Sequence, residues 1–353
     1  MKIFKYLLFL TLIFIIGASI YIATKDGKFQ VEESLMMDAP KEIIFNEVND
    51  YTTWKNWEPW AKEADDMIIN YGEKTTGEGA NYSWKSNELG EGEMLTTKAN
   101  PHNNLQQDIT FKTAFGESNS EIYWNFETQG DSTLVTWGMM GEQSFMDKVA
   151  FIFEDKSLPE MMQPMFKSGL NSLEEEIKIK MNSYSINVEG ITQHGGGYYM
   201  YITTASKISQ ISDRMEKMIN EVGNFMSSNN IEQVGKPFIL YNEWNQDQGT
   251  AIYSAAYFTP SEVVTTSESS ILNGFMPNQR TLKTTLNGDY KNLEEARDLA
   301  YAYLQKNGLK ADEDANSFEV YLTGPKDNAN PAEWITNIYI PLEQTIAETE
   351  SND

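Results

Sequence analysis

The chain has 353 residues, 40% of them hydrophobic and 12% aromatic, which is enough apolar material for roughly two to three domains. Its net charge of −25 argues against nucleic acid as a partner, because binding to phosphates needs a basic surface. The absence of cysteine excludes disulfides, thiolate nucleophiles and cysteine-ligated zinc. The only histidines, His102 and His194, lie in loop-like contexts. We therefore predict no metal site, no cofactor and no catalytic constellation.

The N-terminus begins with an uncharged run, Tyr6–Ala23, preceded by Lys2 and Lys5. As a helix this run would span roughly 27 Å, close to the hydrocarbon thickness of a bilayer. It is longer than the apolar core of a secretory signal, and no A-x-A triplet closes it. Residues 1–25 are therefore predicted to be a transmembrane anchor, with a cleaved signal peptide or a buried core helix as alternatives. The two lysines favour a cytoplasmic N-terminus and a periplasmic location for the rest of the chain.

Residues 26–182 are predicted to form one α+β unit. The alternating segment Phe29–Glu32 indicates a first strand, and a helix begins near Pro40. Apolar residues at a spacing of three to four predict a closing helix at Leu158–Met181. Alternation between these helices predicts further strands at Ala80–Lys85, Gly92–Ala99, Gln106–Phe115, Glu121–Gln129 and Thr133–Met140.

The segment DAPKEIIFNEVNDYTTWKNWEPW and the closing helix resemble the START-like or polyketide-cyclase (SRPBCC) superfamily. The resemblance implies a helix-grip fold, in which a sheet wraps round a long C-terminal helix and encloses an apolar cavity. Trp54, Trp57 and Trp60 either line that cavity or anchor a loop to the core. Five methionines either line an adaptable pocket or fill the core: Met139, Met140, Met161, Met162 and Met165.

Residues 183–345 contain a helix-plus-strands pattern that occurs twice. The two predicted helices are Ile208–Met226 and Leu293–Asn307, and strands precede and follow each of them. This arrangement predicts a pseudo-two-fold α+β domain with a cleft between its halves. The strands are predicted at Ser185–Gln193, Tyr198–Thr204, Pro237–Trp244, Thr250–Thr259, Arg280–Leu286, Phe318–Thr323 and Thr336–Pro341. Residues 346–353 are predicted to be a disordered acidic tail.

Four segments in this order resemble the GyrI-like family, the effector-binding domain found fused to AraC-type regulators: GKPFILYNEW, LNGDYKNLEEARDLAYAYLQKNGL, FEVYLTGP and NPAEWITNIYIPLE. The resemblance implies binding of small molecules. No helix-turn-helix accompanies these segments, so the role of a DNA-binding regulator is not implied.

Strand alternation places Glu319 beside Tyr321 and Asn337 beside Tyr339. An aromatic cleft that holds a carboxylate suits an apolar cation, whereas the alternative is an ordinary exposed sheet face. Many GyrI-like proteins carry Glu where this chain has Asn337, and the resemblance implies that this acid binds cations and serves hydrolysis in some members. Either Glu319 substitutes for it or the ligand is neutral. The predicted ligand-binding residues are Glu319, Tyr321, Trp334, Asn337, Tyr339 and Tyr290.

These features together predict a membrane-anchored protein that binds an apolar, amphipathic or cationic small molecule without catalysis, and a role as a sensor is compatible with this prediction. One alternative is a hydrolase or detoxifying enzyme that acts in the GyrI-like cleft with Glu319 as acid or base. The other alternative is a protein-interaction module, although the sequence names no protein partner.

Overall fold

The computed structural model describes residues 2–60, 66–113, 116–151, 154–266 and 268–343. The chain divides into two compact units, Met1–Ile179 (unit 1) and Lys180–Asp353 (unit 2). Each unit combines helices with one antiparallel sheet, which confirms the predicted α+β class. The predicted acidic tail, residues 346–353, lies outside the described residues.

Helix α1 (Lys2–Ala23) contains the uncharged run of the sequence. Its side chains from residues 3 to 17 are exposed, and Ile22 in the last turn is buried. Among the described helices this is the one that is long and apolar enough to cross a membrane, and a signal sequence has the same properties.

Unit 1 is built on a seven-stranded antiparallel sheet with the order β1-β7-β6-β5-β4-β3-β2. Two of its elements, the strand Ile68–Tyr71 (β2) and the helix Phe145–Phe151 (α3), were not predicted, because four and seven residues are too short to show a clear period. The strands are β1 (Lys28–Met37), β2 (Ile68–Tyr71), β3 (Asn81–Ser86), β4 (Gly90–Asn100), β5 (Asn104–Thr113), β6 (Gly116–Gln129) and β7 (Ser132–Glu142). The helices are α2 (Lys41–Asn49), α3 (Phe145–Phe151) and α4 (Leu158–Asn182).

Helix α4 packs on this sheet through aromatic rings. Trp137 of β7 stacks between Phe166 of α4, at 4.3 Å between ring centroids, and Trp124 of β6, at 4.6 Å. Trp54 and Trp57 are buried in the same cluster, which makes them core residues. Large stacked rings therefore determine how closely the helix approaches the sheet.

Unit 2 is built on an eight-stranded antiparallel sheet with the order β12-β9-β11-β10-β14-β15-β13-β8. The strands are β8 (Ser185–His194), β9 (Gly197–Lys207), β10 (Val234–Asn245), β11 (Thr250–Phe258), β12 (Leu272–Met276), β13 (Gln279–Asn287), β14 (Phe318–Tyr321) and β15 (Ile335–Pro341). The helices are α5 (Ile211–Ser228) and α6 (Leu293–Lys306). The arrangement β9-α5-β10-β11 recurs as β13-α6-β14-β15, as the predicted repeat requires. The edge strand β12 was not predicted.

Both helices of unit 2 pack on one face of the sheet, which we call the helix face. Met215 of α5 and Ala300 of α6 belong to the same hydrophobic cluster as Ile338 of β15 and Leu282 of β13. A second cluster, around Phe238 and other strand residues, lies on the opposite face and contains no residue of either helix. Among the described residues of unit 2, helices therefore cover one side of the sheet only.

Candidate ligand-binding sites

The second face of the unit 2 sheet is concave. His194 ends β8 and Phe258 ends β11, and five strand spacings of about 4.8 Å, roughly 24 Å, would separate these strands in a flat sheet. The ring centroids of His194 and Phe258 instead lie 5.9 Å apart. The sheet therefore curls until its two halves meet on this side, and we call this surface the concave face.

Aromatic rings line the concave face. Tyr339 stacks on Phe318 at 4.9 Å, and His194 contacts these two rings at 5.0 and 4.7 Å. From the other half of the sheet, Phe238 stacks on Phe258 at 4.5 Å. Burial lowers the pKa of His194, so its ring stays neutral near pH 7. The surface offers apolar ring faces, which suit planar or apolar ligand groups. Lys283, which lies opposite Tyr339 in the sheet, is a cation on this face, and it is paired with Glu189.

Asn337 of β15 lies on the concave face, directly opposite Val320 of β14. It is 6% exposed, and its Oδ1 lies 2.8 Å from the hydroxyl of Thr285. That hydroxyl also contacts a carboxylate oxygen of Glu189, which pairs with Lys283 at 2.8 Å. The hydrogen bond from Lys283 lowers the pKa of Glu189 and keeps it ionised. The two charges cancel, so this region presents the polar amide of Asn337 without a net charge.

Glu319 lies on the opposite, helix face, away from Asn337, so of the two alternatives left by the sequence this arrangement favours the neutral ligand over substitution by Glu319. Its Oε1 accepts a hydrogen bond from Nε of Arg297 at 2.7 Å. Nη2 of the same arginine lies 2.6 Å from this oxygen and completes the ion pair. Its Oε2 accepts from the hydroxyls of Tyr241 at 2.7 Å and Tyr321 at 2.8 Å. Both oxygens of this buried carboxylate are therefore occupied by groups of the chain itself.

The ionisation of this network follows from its burial and its charges. Burial is the largest single influence on the pKa of Arg297 and lowers it, but Glu319, Tyr241 and Tyr321 together outweigh burial and raise the pKa. Burial, followed by the charge of Glu319, raises the pKa of Tyr241 and Tyr321 well above the ordinary value. The two tyrosines stay protonated and act as hydrogen-bond donors, and Arg297 stays a cation. The arrangement is that of a satisfied internal ion pair.

Three predicted residues meet on the helix face. Tyr290 contacts Tyr321 at 5.2 Å and Trp334 at 4.7 Å between ring centroids. They line a cavity of about 750 Å³ beside α5, together with charged residues of both signs such as Glu216 and Lys236. The six predicted residues are thus divided: Asn337 and Tyr339 lie on the concave face, and the other four lie on the helix side. The six residues therefore do not line one common cleft.

Unit 1 contains a separate, mostly apolar cavity of about 590 Å³ between its sheet and α4. Trp60 lines this cavity, unlike the buried core residues Trp54 and Trp57. Three of the five methionines also line it, namely Met139, Met162 and Met165.

Several residues of the concave face were missed in the sequence. His194 ends a strand rather than lying in a loop, and its ring lies half-buried among aromatic residues. Tyr199 and Tyr201 alternate along β9 and contact each other at 5.4 Å, with Tyr199 at 5.5 Å from Phe238. The period of two in Tyr199 and Tyr201 is a signal that could have assigned them to one face.

Residues 183–343 match the family model described as GyrI-like small molecule binding domain. No curated protein sequence matches the chain.

Similar solved structures have low sequence identity. The C-terminal domain of EcmrR is 17% identical, with a TM-score of 0.37 over 46% of this chain and 99% of that one. The EcmrR–DNA complex is 13% identical, with a TM-score of 0.40 over 57% of this chain and 78% of that one. Protein CV1439 from Chromobacterium violaceum is 12% identical, with a TM-score of 0.33 over 42% of this chain and 96% of that one. On the match of the family model, residues 183–343 of this chain form a GyrI-like domain.

Proposed function

We propose that the protein is a membrane-anchored binder of small molecules whose GyrI-like domain takes a neutral, aromatic or amphipathic ligand on the concave face. The observation that carries the proposal is the placement of the uncharged Asn337 beside the aromatic rings of that face. Rings supply apolar contact area, and one amide supplies a directional hydrogen bond, as in many small-molecule sites. Ligand-dependent signalling is compatible with this arrangement.

The charges of the domain favour a neutral ligand over a cation. Glu189 on the concave face is paired with Lys283, and Glu319 on the helix face is paired with Arg297. To pair with either carboxylate, a lipophilic cation would therefore have to displace Lys283 or Arg297. The net charge of −25 also disfavours nucleic acid as a partner.

For unit 1 we propose a START-like fold with α4 as the helix that the sheet grips. The stacking of Phe166 on Trp137 and the adjacent cavity of about 590 Å³ support this assignment. We propose that α1 is retained as the membrane anchor, and that Lys2 and Lys5 hold its N-terminus on the cytoplasmic side, which leaves both units in the periplasm.

The test is heat denaturation of the full chain in phospholipid nanodiscs against a panel of neutral aromatic amphiphiles and lipophilic cations. A ligand at 100 times its Kd stabilises the folded state by about 2.7 kcal/mol, which raises the melting temperature measurably. We expect neutral compounds to raise it. Tyr339→Ala removes a stacking surface and should abolish the shift.

Tyr301→Ala is the matched control, because Tyr301 is an exposed tyrosine of α6 on the other side of the domain. Asn337→Glu introduces a carboxylate on the concave face and should transfer the preference to cations. Equal shifts in the two tyrosine variants would exclude the concave face as the site. A wild-type protein that prefers cations would contradict the neutral ligand.

A further inference from the structure

The cavity of about 750 Å³ beside α5, which we call the helix-face cavity, has no part in the proposed function. Its floor is apolar and aromatic, with Met215 and Tyr321 buried and Tyr290 and Trp334 half-buried. The ring of Tyr290 lies 4.7 Å from that of Trp334 and 5.2 Å from that of Tyr321. The cavity lies on the other side of the sheet from the concave face, so a ligand in it would be a second, separate one.

Charged side chains of both signs form the rim of this cavity. Asp327 lies 3.6 Å from Nζ of Lys236, and Asp289 lies 3.9 Å from Nζ of Lys291, so these four charges are loosely paired. Glu216 of α5 is exposed at the rim and has no ion-pair partner in the described part of the chain. It therefore offers a carboxylate with which an ammonium group of a ligand can pair.

Glu216 lies close to the aromatic floor. Burial is the largest influence that raises the pKa of Tyr290, and the charges of Asp327 and Glu216 come next. The hydroxyl of Tyr290 lies against Gly324, where a Cβ would be 2.5 Å from it, so the ring is held in place. A carboxylate beside an aromatic ring suits an ammonium group, through charge pairing and cation–π contact.

A positive charge lies about one helical turn from Glu216. Nζ of Lys326 donates a hydrogen bond to Oδ1 of Asn220, which follows Glu216 by four residues in α5. Residues at this spacing share one side of a helix, with their Cβ atoms roughly 5–6 Å apart. An ammonium group has three donors, so Lys326 keeps two of them for an anion. Opposite charges this close together match a molecule that carries its ammonium and carboxylate groups on one carbon atom.

We propose that the helix-face cavity binds a free α-amino acid with an aromatic side chain. The ammonium group pairs with Glu216, and the carboxylate accepts hydrogen bonds from Nζ of Lys326. The side chain packs on the rings of Tyr290 and Trp334. The volume of about 750 Å³ falls within the range of small-ligand sites, ~300–1,000 Å³. This site depends neither on the ligand of the concave face nor on the membrane anchor.

Isothermal titration calorimetry of the full chain in phospholipid nanodiscs tests the proposal, with empty nanodiscs as the background. Three compounds share a phenyl ring: phenylalanine carries both charges, phenethylamine only the ammonium group and phenylpropionate only the carboxylate. We expect phenylalanine to bind at least about tenfold more tightly than either of the others, because only it makes both charged contacts. Equal affinities for the three compounds, or no binding of phenylalanine, would overturn the proposal.

Two variants assign the charges. Glu216→Gln should weaken the binding of phenylalanine and phenethylamine about tenfold and leave that of phenylpropionate unchanged. Lys326→Gln should weaken the binding of phenylalanine and phenylpropionate and leave that of phenethylamine unchanged. Both side chains are exposed, so neither change disturbs the core. Glu221→Gln is the matched control, since Glu221 is exposed on α5 and does not line the cavity. An equal loss in Glu216→Gln and Glu221→Gln would contradict the assigned site.

The variant Tyr339→Ala separates the two sites of unit 2. It removes a ring of the concave face and should leave the affinity for phenylalanine unchanged. Loss of phenylalanine binding in this variant would place the amino acid on the concave face and overturn the proposal. Binding of phenylalanine that depends on Glu216 and Lys326 supports the proposal even if no neutral amphiphile binds to the concave face.

Discussion

Glu58 in unit 1 shows what burial does to a single carboxyl group. Its Oε1 is buried without a hydrogen-bond partner, and Trp60 and Tyr82 donate to the side chain. Burial raises its pKa from 4.5 to about 8 in spite of these two hydrogen bonds. The folded protein therefore keeps Glu58 protonated at neutral pH, where the unfolded chain would have lost the proton.

This difference predicts that Glu58 makes unit 1 less stable as the pH rises. The folded state binds the proton of Glu58 more tightly than the unfolded chain does. The stability that this proton contributes is therefore fully present below pH 4.5 and is lost as the pH rises towards about 8. The free energy of unfolding should fall by up to about 1.4 kcal/mol per pH unit in this window. Glu58→Gln should remove this part of the pH dependence in urea titrations followed by tryptophan emission.

Tryptophan emission reports mainly on unit 1, because two of the eight tryptophans, Trp244 and Trp334, lie in unit 2 and six remain. The control is Glu127→Gln, which changes an exposed carboxylate of β6 in the same unit. An unchanged pH profile in Glu58→Gln would show that Glu58 is not the group that titrates.

At the scale of elements, Gly169 permits the close approach of α4 to the stacked rings of the sheet. A Cβ at this position would lie 2.5 Å from the ring of Trp137 and 3.1 Å from Pro59. Trp137 is itself held between Phe166 and Trp124, so its ring has little room to move. The glycine is therefore required by close packing.

Two glycine-to-alanine changes in helices should have opposite effects. Alanine gains about 1 kcal/mol of helix propensity over glycine, whereas overpacking a core costs about 1–3 kcal/mol. Gly169→Ala should therefore destabilise unit 1 by up to about 2 kcal/mol, the difference between these terms. Gly223→Ala in α5 meets its nearest neighbour, Nε2 of Gln233, at 3.5 Å and should stabilise unit 2. Urea unfolding measures both, and stabilisation by Gly169→Ala would contradict the packing argument.

For the whole molecule, the exposure of α1 allows its contribution to folding to be tested separately from the proposed membrane attachment. Side chains 3–17 make no buried contact, so the sheets do not depend on most of the helix. Deletion of residues 1–25 removes the buried Ile22 and should lower the melting temperature of unit 1 only slightly. The same deletion should abolish cosedimentation with phospholipid vesicles. Loss of the folded state on deletion would instead assign α1 a role in the core, and persistent cosedimentation would remove it as the sole anchor.

Sequence alone predicted the strands and helices in which apolar residues recur with a clear period. Alternation predicted the strands that became β3 to β7 and β13 to β15, and the spacing of apolar residues predicted α4, α5 and α6. These patterns are local, because each residue needs only its own chain neighbours to show which of two faces it occupies. The short elements β2 and α3 lacked such a pattern.

Only the tertiary structure decided which residues share a site. Alternation groups Glu319 with Tyr321 and Asn337 with Tyr339, but the relation between the two pairs depends on the register of β14 against β15. The observed register places Phe318 opposite Tyr339 and therefore puts Glu319 on the other face. A shift of one residue would have brought Glu319 and Tyr339 to one face, because side chains alternate with a period of two. Register results from packing against the helices and from the curl of the sheet, and neither is a local property of the sequence.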